Sequence, residues 1–93
     1  EALRQRGDWA RTQLAKLTER EREVLDGLAC GYPNKTIAYD LGISSRTVEV
    51  YRANVMAKLE VGNFADALRI AFAAGLGSDS RWRQAHGPGT SPR

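Results

Sequence analysis

The sequence is poor in the residues that most often carry catalysis or metal binding. It holds one cysteine, Cys30, and one histidine, His86. That count excludes an internal disulfide and leaves too few ligands for a metal site or a Cys–His nucleophile pair. The sequence has no glycine-rich loop that could cradle a phosphate, and Glu19, Glu21 and Glu23 are typical of a solvated helix start. We therefore predict no enzyme, no cofactor and no metal.

Long hydrophobic runs are also missing. The longest, Ile70 to Ala74, is far shorter than the roughly 18 residues that a membrane-spanning helix needs. No signal peptide is recognisable, and a single cysteine fits a reducing compartment. We expect a cytoplasmic protein with no membrane partner. Because the chain begins at Glu1, we expect a piece of a longer protein that contains one small domain and its flanks.

The positive charge is unevenly distributed. The whole chain carries a net +3, yet residues 17–76 hold seven basic and eight acidic side chains. The flanks therefore supply the positive balance, and a nucleic-acid partner cannot be argued from net charge alone. The segment from Lys35 to Lys58 contains four basic and two acidic side chains. The electrostatic field of the domain is therefore polarised and could still orient the domain on phosphates.

Helical periodicity and capping signals fill residues 17–42, and no strand pattern appears anywhere, so we predict an all-α fold. Thr18 with Glu21 forms a capping box that opens a helix to about Cys30. Gly31 stops this helix. Asn34 is the expected N-cap of a short helix over 35–41.

Two further helices complete the predicted domain. After a break at Gly42, Ser44 or Ser45 caps a long helix that runs to about Leu59. Gly62 and Asn63 separate it from a last helix that ends near Ala74. The side chains of that last helix expected to face the core are Phe64, Ala67, Leu68 and Ala71.

The flanks lack a comparable pattern. Residues 1–16 are polar with scattered apolar positions and are interpreted as an interdomain linker, in part helical. Residues 77–93 are rich in Gly, Ser and Pro and are predicted to be disordered. Within this segment, Arg81, Trp82 and Arg83 could contact DNA as a flexible arm, but a solvated tail is the favoured interpretation.

The long helix has two different faces. At about 100° per residue, one apolar stripe should pack on the core: Val48, Tyr51, Val55 and Leu59. The opposite side is small, flat and partly apolar, and consists of Arg46, Glu49, Val50, Ala53, Asn54 and Ala57. Such a face fits the major groove, where thymine methyls suit contact with Val or Ala. The alternative is a second apolar face buried inside a larger protein.

A short helix, a break of four residues and a longer helix with a contact face form a helix-turn-helix arrangement. The segment LTEREREVL, followed by GYPNKTIAYDLGISSRTVEVYRANVMAKL, resembles the LuxR-type (GerE) helix-turn-helix domain. It is most similar to the FixJ-type branch of two-component response regulators. The resemblance covers about Leu17 to Leu76, which sets the expected domain at residues 17–76.

The resemblance implies a four-helix domain that regulates transcription by sequence-specific binding of double-stranded DNA. It also implies a homodimer on DNA and contact with RNA polymerase. A full-length FixJ-type protein would carry an N-terminal receiver domain, phosphorylated on aspartate by a sensor kinase. That domain is absent from these residues, and residues 1–16 would be the linker to it.

The resemblance to this family implies that Glu49, Val50 and Ala53 face base edges, and the other site residues are expected from their position and chemistry. The recognition helix would cover about 45–59, and its expected base contacts are Arg46, Glu49, Val50 and Ala53. The expected phosphate contacts are Lys35, Thr36, Thr47, Arg52, Asn54 and Lys58. In the family the last helix, about 64–74, pairs two domains, which makes Ile70, Ala73 and Ala74 the expected dimer interface.

Several of these roles have open alternatives. Glu49 could accept a hydrogen bond from cytosine N4, or it could pair with Arg46 or Arg52 within the helix. Thr47 could serve the helix N-terminus, Arg52 could cover the core, and Lys35 could be solvated. The alanines of the last helix could be ordinary exposed residues.

The sequence departs from the family pattern at two positions. Tyr51 stands where the family often has His, and we expect it to pack inward with its hydroxyl at the edge. Ala53 is small where some relatives have a long basic side chain, so one base contact is lost. Two alternatives from other functional classes remain. One is a protein-interaction module in which the long helix binds another protein, for example an RNA polymerase subunit. The other is a purely structural helical domain.

Overall fold

The structure is a computed structural model that describes residues 2–86, with side chains from residue 5 onward. These residues form six helices and no strand, which confirms the predicted all-α class. The helices are α1 (Ala2–Leu14), α2 (Glu19–Ala29), α3 (Asn34–Leu41), α4 (Ser45–Leu59), α5 (Phe64–Ala73) and α6 (Asp79–Ala85).

Local signals place the starts of α2, α4 and α5. Thr18 and Glu21 make both hydrogen bonds of the capping box at the start of α2. The side chain of Ser44 caps α4 and that of Asn63 caps α5. Each cap satisfies one of the backbone N–H groups that have no partner inside a helix. These three starts agree with the sequence predictions.

The start of α3 differs from the prediction. The N-cap is Pro33, which makes no side-chain cap, and Asn34 is already the first helical residue. The side chain of Asn34 accepts a hydrogen bond from Arg52 Nη1 at 3.4 Å. The prediction of Asn34 as a cap is therefore wrong, because this amide is used across the helix pair instead.

The core consists of two apolar clusters. The first joins α1, α2, α4 and α5 through Ala10, Leu14, Leu25, Val55, Leu59, Ala67, Ile70 and Ala71. The second joins α2, α3, α4 and α6 through Val24, Ile37, Ala38, Val48 and Trp82. Because α2 and α4 contribute to both clusters, the orientation of α4 is fixed along its whole length.

The first flank is helical almost throughout. Ala10 and Leu14 are buried against α5, and a Cβ atom placed on Gly7 would lie 3.4 Å from the Ala73 backbone oxygen. The expected linker is thus, in this structure, a helix that belongs to the packed domain.

This packing corrects one sequence expectation. Ile70 is only 7% exposed and lies in the first cluster with residues of α1. The expectation that Ile70 points outward is wrong, because α1 covers that side of α5. Ala73 and Ala74 are partly buried against the same cluster.

The expectation of a disordered tail from residue 77 is corrected over 79–85. Ser78 accepts a hydrogen bond from the N–H of Arg81 and caps α6, and Trp82 is 1% exposed. One large side chain thus holds a short helix in a segment whose composition is typical of disorder. The part of the prediction that concerns residues 87–93 lies outside the described residues.

Of the helices described, none has both the length and the apolar character that a membrane crossing requires.

Candidate nucleic-acid interface

The turn between α3 and α4 is fixed by its backbone. Gly42 adopts a left-handed conformation, φ 71° and ψ 33°, that glycine reaches without steric cost. The N–H of Ile43 then donates to the Ala38 backbone oxygen at 2.9 Å, and the Ile43 side chain packs against the second cluster. The two helices therefore meet as one rigid helix-turn-helix unit.

The inner face of α4 lies where the sequence places it. Val48, Val55 and Leu59 are buried, and Tyr51 is half-buried against the second cluster. The predicted inward stripe is confirmed, since the helical period carries these side chains into the two core clusters in turn.

The outer face of α4 is exposed along three turns. Val50, although apolar, is 50% exposed. The other exposed side chains on this side are Arg46, Glu49, Ala53, Asn54 and Ala57. Between residues 5 and 86, no ion pair joins Glu49 to Arg46 or to Arg52. The face is thus small, partly apolar and open to a partner.

Thr47 takes part in the start of α4. Its backbone N–H donates to Ser44 Oγ at 3.0 Å, and its own Oγ1 lies 2.9 Å from that same atom. This geometry matches the alternative role at the helix N-terminus, and Thr47 as a whole is half-buried.

Two cations of α4 are engaged within the domain. The guanidinium carbon of Arg52 lies 4.6 Å from the centroid of the Phe64 ring, a cation–π distance, while Nη1 faces Asn34. Lys58 Nζ donates to Glu21 Oε1 at 2.8 Å. Both side chains therefore stabilise the packing of α4 against its neighbours.

Glu21 is the buried partner in this arrangement. It is 3% exposed, and the same Oε1 atom accepts hydrogen bonds from the Thr18 N–H and from Lys58. Burial alone raises the pKa of Glu21, but the Lys58 and Thr18 hydrogen bonds more than offset it, so the pKa lies below its ordinary value. A carboxylate of α2 thus ties the first turn of α2 to the last turn of α4.

The outer side of α3 adds a second exposed surface. Lys35 is exposed in the first turn and Thr36 is half-buried beside it. Tyr39, one turn beyond Lys35, is 70% exposed. Tyr39 was not among the residues singled out from the sequence, although the helical period places position 39 opposite the apolar residues Ile37, Ala38 and Leu41.

The residues described contain no group of three or more His, Cys, Asp or Glu side chains that could hold a metal ion. Burial, with a smaller contribution from the nearby carboxylate of Asp26, raises the pKa of the Cys30 thiol to about 11. At neutral pH this thiol is therefore protonated and a poor nucleophile.

The geometry defines a small helical domain with a helix-turn-helix unit and an exposed second helix. A family model for bacterial regulatory proteins of the luxR family matches residues 15–71. The chain belongs to this family, and it is a DNA-binding effector domain of the kind found in FixJ-like response regulators.

The relatives and solved structures agree. The transcriptional regulatory protein FixJ of Rhizobium meliloti is 55% identical over 67 residues, 72% of this chain and 33% of that protein. FixJ of Azorhizobium caulinodans is 56% identical over 64 residues, 69% of this chain and 30% of that protein. The chain thus spans about a third of the length of these curated relatives.

Among solved structures, the C-terminal transcriptional activator domain of FixJ from Sinorhizobium meliloti is 53% identical with a TM-score of 0.66. The match covers 75% of this chain and 89% of that domain. Full-length FixJ from B. japonicum is 40% identical with a TM-score of 0.70, over 80% of this chain and 36% of that one.

Proposed function

We propose that this domain binds double-stranded DNA sequence-specifically by inserting α4 into the major groove. The supporting observation is the outer face of α4, which is exposed and carries the short side chains of Val50, Ala53 and Ala57. A groove about 12 Å wide admits one helix of about 10–12 Å diameter. Short side chains let the helix axis come close to the base edges, where apolar groups can meet thymine methyls.

Within this mode, we assign base contacts to Arg46, Glu49, Val50 and Ala53, all of which are exposed on one side of α4. Lys35 and Thr36, at the start of α3, would bind phosphate, helped by the N–H groups of the first helical turn. Asn54 would contact phosphate from the edge of α4. For Thr47, Arg52 and Lys58, hydrogen bonds within the domain compete with the proposed phosphate contacts.

The remaining proposals concern the whole protein. The relatives are named as transcriptional regulators, and we propose that this domain is the effector end of a cytoplasmic two-component response regulator. A receiver domain, phosphorylated by a sensor kinase, would precede it, and RNA polymerase would be a partner on DNA. Residues 1–16 would then connect the receiver domain to the DNA-binding domain at residues 17–76, with α1 packed on that domain, and the function is regulatory, not enzymatic.

We also propose that two copies pair on DNA through the exposed part of α5. Phe72 is 55% exposed there, beside the partly buried Ala73 and Ala74. Ile70 would join such an interface only if α1 moved away from α5, since α1 now covers it.

The substitution Val50→Glu tests the DNA-binding mode. A carboxylate at the centre of the reading face would meet the negative potential of the groove, so we expect specific affinity to fall at least about 100-fold. The free energy of unfolding should change by less than about 0.5 kcal/mol, since the position is exposed. Fluorescence anisotropy on DNA selected from a random pool would measure the affinity, and urea denaturation would measure the free energy of unfolding.

Ala65→Glu is the matched control, because Ala65 is exposed on α5 instead of on α4 and gains the same charge. It should bind DNA almost as the parent chain does. Equal binding by the Val50 variant, or parent affinity that is independent of salt, would contradict the proposal. Capture of a protein partner that survives nuclease and requires Val50 would favour the interaction-module alternative.

A further inference from the structure

The helix α6 lies outside the residues that the family model matches, which end at residue 71. It has seven residues, too few for a helix to be stable in water alone. Its one buried side chain is Trp82, the largest fully buried side chain of the described chain. Whatever α6 does therefore depends on where Trp82 inserts.

Trp82 inserts beside the helix-turn-helix unit. Its ring lies in the cluster that contains Ile37 and Ala38 of α3 and Val48 of α4. The indole reaches the backbone of α2 at Gly27, where an added Cβ atom would come within 2.9 Å of the ring. Tyr32, on the segment that leads into α3, lies 5.8 Å from the indole between ring centroids.

The indole N–H has a specific acceptor. Trp82 Nε1 donates to Asp40 Oδ2 at 2.9 Å. Asp40 lies in the last turn of α3, where a negative charge opposes the helix dipole and costs some helix stability. The hydrogen bond from the indole offsets this cost. An aspartate at the end of α3 is therefore accounted for by its bond to Trp82 and not by the helix itself.

The Asp40–Trp82 bond adds to two restraints that already act on α3. These are the turn at Gly42 and the Arg52–Asn34 hydrogen bond. Helix α3 has eight residues and no side-chain N-cap, and only Ile37 and Ala38 are buried. Packing on α2 and α4 holds its inner side, while its C-terminal turn is tied by the Asp40–Trp82 bond. The direction of α3 determines where Lys35 and Thr36 lie relative to the outer face of α4.

We propose that Trp82 and Asp40 are positioning residues for DNA binding, which hold α3 at the angle to α4 that lets both helices contact one duplex. The inference rests on the proposed DNA-binding mode. On this proposal α6 contributes to DNA binding indirectly, because Trp82 and Asp40 orient α3 without contacting DNA themselves.

The test compares Asp40→Ala with Asp40→Asn in the full chain. Asparagine keeps an oxygen acceptor for the indole and removes the charge, whereas alanine removes both. We expect Asp40→Ala to bind selected DNA about five- to tenfold more weakly than Asp40→Asn, the ratio that one hydrogen bond of this kind supports. The Asp40→Asn variant should bind at least as well as the parent, because it removes a negative charge near the duplex.

A purely stabilising bond would not produce this pattern. Asp40→Ala leaves the indole N–H of the buried Trp82 without its acceptor and should lose some stability. If the bond were purely stabilising, the folded fraction of this variant would still bind DNA with the affinity of the parent. Trp82→Phe, which keeps a ring and loses the N–H, should weaken binding similarly. Trp9→Phe, at a tryptophan that is 53% exposed on α1, is the control and should leave binding unchanged.

Residual dipolar couplings of the unbound variants measure the angle between α3 and α4 directly. A changed angle in Asp40→Ala and a parent-like angle in Asp40→Asn are the expected results. Parent-like affinity and angle in a folded Asp40→Ala variant would overturn the inference. If the parent itself bound no DNA, the proposed function would fail, and an unchanged angle would then overturn the positioning role separately.

Discussion

At the scale of single residues, Lys58 shows how a cation of the proposed recognition helix can instead be bound within the domain. Its ammonium group donates to the buried Glu21 carboxylate, whereas Lys35 is exposed at the start of α3. Each phosphate contact adds about 0.9 to the slope of log affinity against log salt for B-DNA. The two lysines should therefore differ in this slope.

We expect Lys35→Met to lower the salt slope by about one and Lys58→Met to leave it unchanged. The Lys58 variant should instead lose about 1–2 kcal/mol of stability, because a buried carboxylate then lacks its charged partner. Anisotropy titrations at several salt concentrations and urea denaturation measure the two effects. A slope lowered by one in Lys58→Met would show that this lysine leaves Glu21 for a phosphate.

Glu21 makes stability depend on acid pH. Its pKa in the folded chain lies below the ordinary value of 4.5, so the unfolded chain binds the proton more readily. The stabilisation is therefore complete above about pH 5 and is lost as the pH falls through the folded pKa. We expect Glu21→Gln to be less stable than the parent by about 1 kcal/mol at pH 6, a difference that shrinks at pH 3.

Urea denaturation at both pH values checks this, with Glu19→Gln as the control. Glu19 lies in the same first turn and is exposed, so its removal should cost only a few tenths of a kcal/mol at either pH. A deficit for Glu21→Gln that is equal at pH 6 and pH 3 would mean that the carboxylate charge is not the source of the stabilisation.

At the scale of the elements, helices with complete local signals are predictable from sequence. The capping box of α2 and the Ser44 and Asn63 caps fix three helix starts, and the 3.6-residue period alone separates Val48 from Val50 on α4. These signals lie within a few residues of one another. The orientation of the candidate reading face follows from them without any tertiary information.

The elements that depend on distant partners are not predictable in this way. The Gly, Ser and Pro content of residues 77–93 indicates disorder, and the order of α6 comes from insertion of Trp82 beside Gly27 and Asp40. Ile70 was expected outside because nothing in residues 1–16 showed that α1 would pack over it. The local sequence pattern predicts where a helix lies and which of its faces is apolar. Which other element packs on that face depends on the whole chain.

The fit between α2 and α6 gives a prediction at Gly27. A Cβ atom there would approach Ile37 Cγ1 and the Trp82 ring at 2.9 Å, which a packed core does not allow without displacement. Alanine gains about 1 kcal/mol in helix propensity, but overpacking costs about 1–3 kcal/mol. We therefore expect Gly27→Ala to lose up to about 2 kcal/mol net in urea denaturation.

Gly7→Ala is the matched comparison, since Gly7 also lies inside a helix and its Cβ would meet neighbours only at 3.4 Å. This variant should be neutral or more stable by up to about 1 kcal/mol. A Gly27→Ala variant as stable as Gly7→Ala would show that Trp82 does not occupy the space beside α2 in solution.

At the scale of the whole molecule, the position of α1 limits how two copies can pair. Its residues Ala10 and Leu14 bury Ile70, so the surface that α5 offers to a second copy centres on Phe72, which is 55% exposed. A dimer on DNA would place two copies of α4 about 34–36 Å apart, one helical turn of the duplex. Pairing through Phe72 would then appear as cooperative filling of two half-sites.

The substitution Phe72→Ser removes the apolar group from this surface without touching α4. We expect it to abolish cooperativity on a two-site duplex while affinity for a single half-site stays near that of the parent, because the position is exposed and lies on α5 instead of on α4. Phe72→Leu keeps an apolar contact and should retain most of the cooperativity. Footprint titrations on one-site and two-site duplexes measure this, and cooperative filling by Phe72→Ser equal to that of the parent would show that any dimer forms through another surface.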